Sequence, residues 1–162
     1  MLDNIFSKNI PVIPFFYKTK DGVRIIISGQ TMIESLDDSE FKNSVLISIR
    51  STMSEKADIK AKFRDILFME FDDIEFDIAN FKAINQFQAR EIANFVAKHL
   101  KSGIKIIGCQ CEAGISRSAA VAAAILKATG SDDTPIMVNS PIYCPNSRVY
   151  ALVLNELRLV LN

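Results

Sequence analysis

Four short runs in this chain are apolar almost throughout: Val23–Ser28 (VRIIIS), Ser44–Ile49 (SVLISI), Ile66–Phe71 (ILFMEF) and Ile104–Cys109 (IKIIGC). A strand with one wet face alternates apolar with polar residues. These runs do not, which is the pattern of strands covered on both faces of a parallel sheet. The segments between them follow a helical period instead. Asn80–Leu100 brings Phe81, Ile84, Phe87, Ile92, Phe95, Val96 and Leu100 near one face, and Gly103 can end it. Ser116–Thr129 is rich in alanine and stops at Gly130, while Asn146–Leu161 repeats Val149, Leu152, Val153, Leu157 and Val160 at helical steps. Asp58–Asp65 reads as a short helix or a loop. Strands alternating with helices predict an α/β fold, a mostly parallel central sheet flanked by helices. Ligands in such folds bind beyond the carboxyl ends of the strands.

At 162 residues, 49% of them hydrophobic, the chain suits one domain over 1–162 with a sizeable core. Residues 1–40 have no assigned role; an extra strand or hairpin, a cover for the sheet edge and a partner contact are all open. Nineteen basic and nineteen acidic side chains cancel, so no charge excess draws the chain to nucleic acid or an anionic membrane. No apolar run approaches the roughly 20 residues that span a bilayer. The first residues, MLDNIFSKNIPVIPFF, lack the parts of a secretory signal, so a cytoplasmic location is expected. Three cysteines (Cys109, Cys111, Cys144), no CxxC pair and a single histidine, His99, argue against a disulfide framework and against a metal site. His99 reads as a helix-terminal side chain.

The chemistry concentrates in one loop. Ile106–Ala124 reads IIGCQCEAGISRSAAVAAA: an apolar run delivers Cys111, five residues pass, and Arg117 opens a helix. The first amides of a helix lack intrahelical acceptors, and the helix dipole adds positive charge there. Glu112, Ala113, Gly114, Ile115, Ser116 and Arg117 therefore form a candidate cradle for a tetrahedral anion such as phosphate, vanadate or sulfate. Gly114 can take the positive φ that a tight turn needs. The field that attracts an anion also favours a thiolate, which makes Cys111 a candidate nucleophile. Arg117 offers a planar fork for two phosphoryl oxygens. Ser118 can donate its hydroxyl to the sulfur. A buried structural cysteine beside an unrelated arginine is the bland alternative.

CEAGISRS resembles the C-x5-R-S/T phosphate-binding loop of the cysteine-based protein phosphatases, and the chain is similar in size to the dual-specificity branch. Pro145-Asn146, followed by Tyr150 and Leu154, resembles the segment that opens a late helix in that branch. The likeness spans roughly residues 44 to 160. It implies a phosphatase-like three-layer sandwich of the tyrosine/dual-specificity type. It also implies metal-free, cofactor-free hydrolysis of phosphotyrosine, with phosphoserine/threonine a further candidate, through a phosphocysteine. One position departs from the pattern: Gln110 stands where the family usually carries histidine before the nucleophile.

Expelling an alkoxide or phenoxide requires a proton donor. In the family an aspartate from a loop after the preceding strand supplies it. Phe71-Asp72-Asp73-Ile74 follows an apolar run here, and relatives carrying FDD use the second aspartate. Asp73 is thus the first candidate, Asp72 the second, and Glu75 and Asp77 are readings that favour a helix start. A solvated acidic turn is the bland reading. Cys109 and Cys144 read as packed or surface thiols, with a redox partnership to Cys111 as the alternative. The loop contains no lysine, and Glu112 would oppose a polyanionic headgroup, which favours a phosphorylated protein or peptide as partner. A catalytically weak or inactive phosphoresidue-binding module is the main rival. Sulfurtransfer on a rhodanese-like fold ranks lower, because that family's loop generally holds fewer residues between cysteine and arginine. Low-molecular-weight phosphatases carry their loop near the N-terminus, and Cys111 lies too late for them.

Overall fold

The computed structural model describes residues 16–37 and 40–162. Five strands form one sheet: β1 (Tyr17–Lys18), β2 (Arg24–Ser28), β3 (Glu40–Arg50), β4 (Lys62–Glu70) and β5 (Ile106–Gln110). Their order is β1-β2-β5-β3-β4. Every pair is parallel except β1–β2 at the edge. The predicted mostly parallel α/β sheet flanked by helices is what forms. The strand that delivers Cys111 is central, hydrogen-bonded on both sides, so the position of its carboxyl end is fixed by two neighbours.

One face of the sheet is covered by three helices: α2 (Gln86–Lys101), α3 (Arg117–Ala128) and α5 (Ser147–Leu161). Ile25, Val45, Ile47 and Ile107 point into this main core, together with Ile92, Val96, Val121, Ile125, Val153 and Leu157. Every residue of α3 from Arg117 to Leu126 is buried. A helix buried all round lies between other layers, and its alanines let the sheet and α5 approach closely. The opposite face carries a smaller cluster, in which Leu46 meets Ile33 and Leu36 of α1 (Gln30–Ser35), Phe41 and Ala61. Layers on both faces give the three-layer sandwich. A short helix α4 (Thr134–Met137) precedes the segment that leads into α5.

Several elements depart from the sequence expectation. The helix predicted from Asn80 begins at Gln86, where Asn85 and Gln88 form a reciprocal capping box. Residues 71–85 are consequently loop, and Phe81 and Phe87 are exposed rather than core-facing. Strand β4 starts at Lys62, so Asp58–Asp65 is loop followed by strand. Its polar start is compatible with a strand at the open edge of the sheet, where one side meets water. Around the N-terminal region, β1 and β2 make a hairpin through Thr19–Val23, with Gly22 at φ 85°. Residues 1–15 lie outside the described residues. Among the described residues, no helix is long and apolar enough to cross a membrane.

Candidate active site at the carboxyl end of the sheet

Strand β5 ends at Gln110 and α3 begins at Arg117, so residues 111–116 form the connecting loop. The sulfur of Cys111 is 3.3 Å from the backbone N of Gly114 and 3.1 Å from Oγ of Ser118. Both groups can donate to it. Gly114 has φ 73°, and a Cβ there would lie 2.5 Å from Gly29 N and 2.6 Å from Ser28 C. Both features require glycine, and the second shows that the loop rests on the β2–α1 turn. Cys111 N donates to Ser28 O and Gln30 N donates to Glu112 O across the same junction.

Helix α3 has an unusual start. Its N-cap, Ser116, makes no side-chain cap bond. Instead the Ser116 hydroxyl donates to Asp73 Oδ1 at 2.8 Å. The first intrahelical bond is Ala120 N to Ser116 O. The amides of residues 117–119 therefore have no acceptor within the helix, which is the arrangement that suits an anion.

Arg117 is 4% exposed. Its Nη1 donates to Ser51 Oγ and to the carbonyl of Phe71, each at 2.9 Å. Its Nη2 is 4.0 Å from Glu112 Oε2. The Nε is buried without a hydrogen-bond partner among the described residues. An orphaned buried N–H on a charged side chain is costly. One end of the guanidinium is anchored, and the Nε–Nη2 edge keeps the fork geometry for two oxygens of a tetrahedral oxyanion.

The two adjacent aspartates have different surroundings. Asp72 is buried, 6% exposed. Its carboxylate accepts from Thr52 N at 2.9 Å, from the Thr52 hydroxyl, and from Lys82 N at 2.7 Å. Burial pushes its carboxyl up, but the Lys82 and Thr52 donors and the Arg117 charge outweigh that and hold it below the usual range. Asp72 thus pins two loops together as an anion. Asp73 is exposed, and its Oδ1 accepts both from Ser116 and from Asn146 Nδ2 at 2.8 Å. The carboxylates of Glu75 and Asp77 face α5 and not the cysteine: Glu75 accepts from Ser147 N, and Asp77 pairs with Arg148.

Gln110 is buried, with Oε1 accepting from Ser48 Oγ at 2.6 Å and Nε2 donating to Cys111 O at 2.9 Å. The neutral amide ties the loop to β3. Glu112 accepts from Ser51 N, and the Ser54 hydroxyl, with help from Ser51 and the Arg117 charge, outweighs burial and keeps its carboxyl below the usual range. Cys109 sits in the core, where burial and then the neighbouring Cys111 push its thiol up, so it fills space. Cys144 is exposed, and its N–H donates to Ile115 O. His99 is buried and bonded to Asp65 through Nε2. No group of three or more histidine, cysteine or carboxylate side chains able to hold a metal occurs among the described residues.

Sequence reasoning missed Ser51, Thr52 and Asn146 as parts of this site. Ser51 and Thr52 follow β3 at the same carboxyl edge as the loop, and that edge position was the available signal. Asn146 was visible as a helix opener only.

No family model matches the chain, and no curated protein matches it. Solved structures do. The chain superposes on a human tyrosine phosphatase-like serine/threonine/tyrosine-interacting protein with a TM-score of 0.50 at 20% identity, over 74% of this chain and 79% of that one. It also superposes on a mouse protein described as a "putative dual specificity phosphatase", complexed with zinc tungstate, with a TM-score of 0.53 at 14% identity, over 94% and 91% of the two chains. The chain therefore has the fold of the dual-specificity class of cysteine-based phosphatases.

The Asp72 geometry yields a test of stability. A carboxyl whose folded pKa lies below its unfolded value adds stability that is present above the unfolded value, about 3.9, and is lost as the pH falls through the folded value. Asp72→Asn is expected to lower the urea midpoint at pH 7. The gap to wild type should narrow as the pH falls from about 3.9 through the lower folded value. A gap that stays constant down to the acid transition would contradict the role given to this carboxylate.

Proposed function

We propose that this protein is a cysteine-dependent, metal-independent phosphatase acting on phosphotyrosine, with phosphoserine/threonine as a further substrate, in proteins or peptides. The observation that carries the reading is the convergence on one loop of Cys111 Sγ with donors from Gly114 and Ser118, a buried guanidinium with an unpartnered Nε, and the Asp73 carboxylate. The amides from Glu112 to Arg117 cradle the phosphoryl group, and the Arg117 fork takes two of its oxygens.

In the first step Cys111 attacks phosphorus in line as the P–O bond to the leaving group breaks. Asp73 gives that oxygen its proton. In the second step water attacks the phosphocysteine, Asp73 takes the water's proton, and the P–S bond breaks as Ser118 donates to the departing sulfur. Asp73 is preferred to Asp72 for the acid role because the Asp72 oxygens already accept from Thr52 and Lys82.

The absence of lysine from the loop and the anionic Glu112 beside Arg117 favour a single phosphomonoester over a polyphosphorylated headgroup. The binding-only alternative rests on Gln110, an uncharged residue before the nucleophile. Its hydrogen bonds to Ser48 and to the Cys111 carbonyl nonetheless brace the loop.

Two substitutions test the assignment. Cys111→Ser should abolish hydrolysis of p-nitrophenyl phosphate while vanadate or phosphate still binds by calorimetry. Wild-type turnover in that variant would remove Cys111 from the mechanism. Asp73→Ala should slow poor leaving groups by roughly 10²–10⁴-fold and activated ones far less. A small, equal effect on both would remove Asp73. A wild-type protein that binds vanadate yet hydrolyses no ester would establish the binding module instead.

A further inference from the structure

The loop that carries Asp73 is fastened to the first turn of α5 in register. Alternate residues of the loop meet successive residues of the helix start. Asp73 Oδ1 accepts from Asn146 Nδ2 at 2.8 Å, Glu75 Oε1 accepts from Ser147 N at 2.8 Å, and Asp77 Oδ1 accepts from Arg148 Nη1 at 2.9 Å. Asn146 is the innermost rung, 3% exposed, and all its polar groups are engaged. Its Oδ1 caps α5 by accepting from Val149 N at 3.0 Å. Its Nδ2 also donates to Ile74 O, and its backbone N donates to Ser116 O. Because Val149 fixes the side-chain oxygen, the NH₂ group must face Asp73.

Ser116 closes the ring, since its hydroxyl donates to the same Asp73 oxygen. Both donors thus end on Oδ1. An oxygen that accepts two hydrogen bonds is a poor place for a proton, so the proton that Asp73 transfers belongs on Oδ2.

Resting on the phosphatase reading, we propose that Asn146 is a positioning residue that holds the acid loop closed over the phosphate-binding loop before substrate arrives and orients Asp73 so that Oδ2 delivers the proton. The helix cap and the orientation of the acid are then one side chain's two ends. Pre-paid orientation of this kind lowers the barrier only where a proton is needed in the transition state.

Asn146→Ser separates the two ends, because serine caps a helix about as well as asparagine but cannot reach Asp73 with an amide. On phenyl phosphate, a poor leaving group, kcat/KM should fall roughly tenfold or more, and on p-nitrophenyl phosphate by less than about threefold. Introducing Asn146→Ser into an Asp73→Asn protein should give little loss beyond that of Asp73→Asn alone, since Asn146 acts only through the acid. Equal losses on both esters, or losses that simply multiply in the double variant, would overturn the proposal. If the serine variant does not fold, Asn146→Asp keeps a strong cap and removes the donor, with the same selective loss expected. A wild-type chain inactive on both esters would overturn the phosphatase reading itself. Hydrogen exchange at residues 73–78 would then still decide the clamp: faster exchange in Asn146→Ser supports it, unchanged exchange overturns it.

Discussion

Arg117 is a permanent cation enclosed at the head of a helix that is otherwise almost entirely alanine and aliphatic. An isolated charge there would be prohibitive, so the surrounding segments are arranged to tolerate it. The carbonyl of Phe71 and the hydroxyl of Ser51 hold one end, Glu112 stands at the other, and the Asp72 carboxylate contributes its field. Asp72 in turn gathers Thr52 and Lys82, which fixes the start of the loop that bears Asp73. The architecture of the carboxyl edge can be traced outward from this one guanidinium.

That arrangement leaves the guanidinium incompletely satisfied. Among the described residues the guanidinium has no partner at Nε, and the α3 amides next to it are similarly free of intrahelical acceptors. The Ser116 hydroxyl, donated to Asp73, withholds a side-chain cap from α3 and links the Asp73 loop to the Cys111 loop. Gln110 carries no charge of its own. The loop is shaped by its amide, by Gly114 resting on Ser28 and Gly29, and by the Gln30–Glu112 backbone bond.

Much of this was legible in the residues. Three of the four nearly apolar runs announced the inner strands β2, β3 and β5, because strands covered on both faces need no alternation, whereas the fourth, Ile66–Phe71, falls on the edge strand β4 and leaves Phe68 exposed. CEAGISRS announced the loop, because strand, glycine turn and helix start must occur at set spacing there. What failed was legibility through periodicity alone. Phe81 and Phe87 fit a helical face, yet the capping box at Asn85 starts the helix later and leaves both in water. Asp72 and Asp73 are indistinguishable by composition, and only the donors from Thr52 and Lys82 on one and from Ser116 and Asn146 on the other separate them. Ser51 and Thr52 could be placed at the carboxyl edge from sequence but not paired, because their partners lie about 20 or more positions away and are brought close by the sheet.

The central claim is that sulfur 111 accepts the phosphoryl group. Mixing the protein with p-nitrophenyl phosphate, quenching in acid within the first turnovers and mass-analysing the digest tests it directly. The peptide containing Cys111 should carry one added phosphoryl group that disappears once substrate is consumed. Turnover with that peptide always unmodified, or with the phosphoryl group on another residue, would contradict the account.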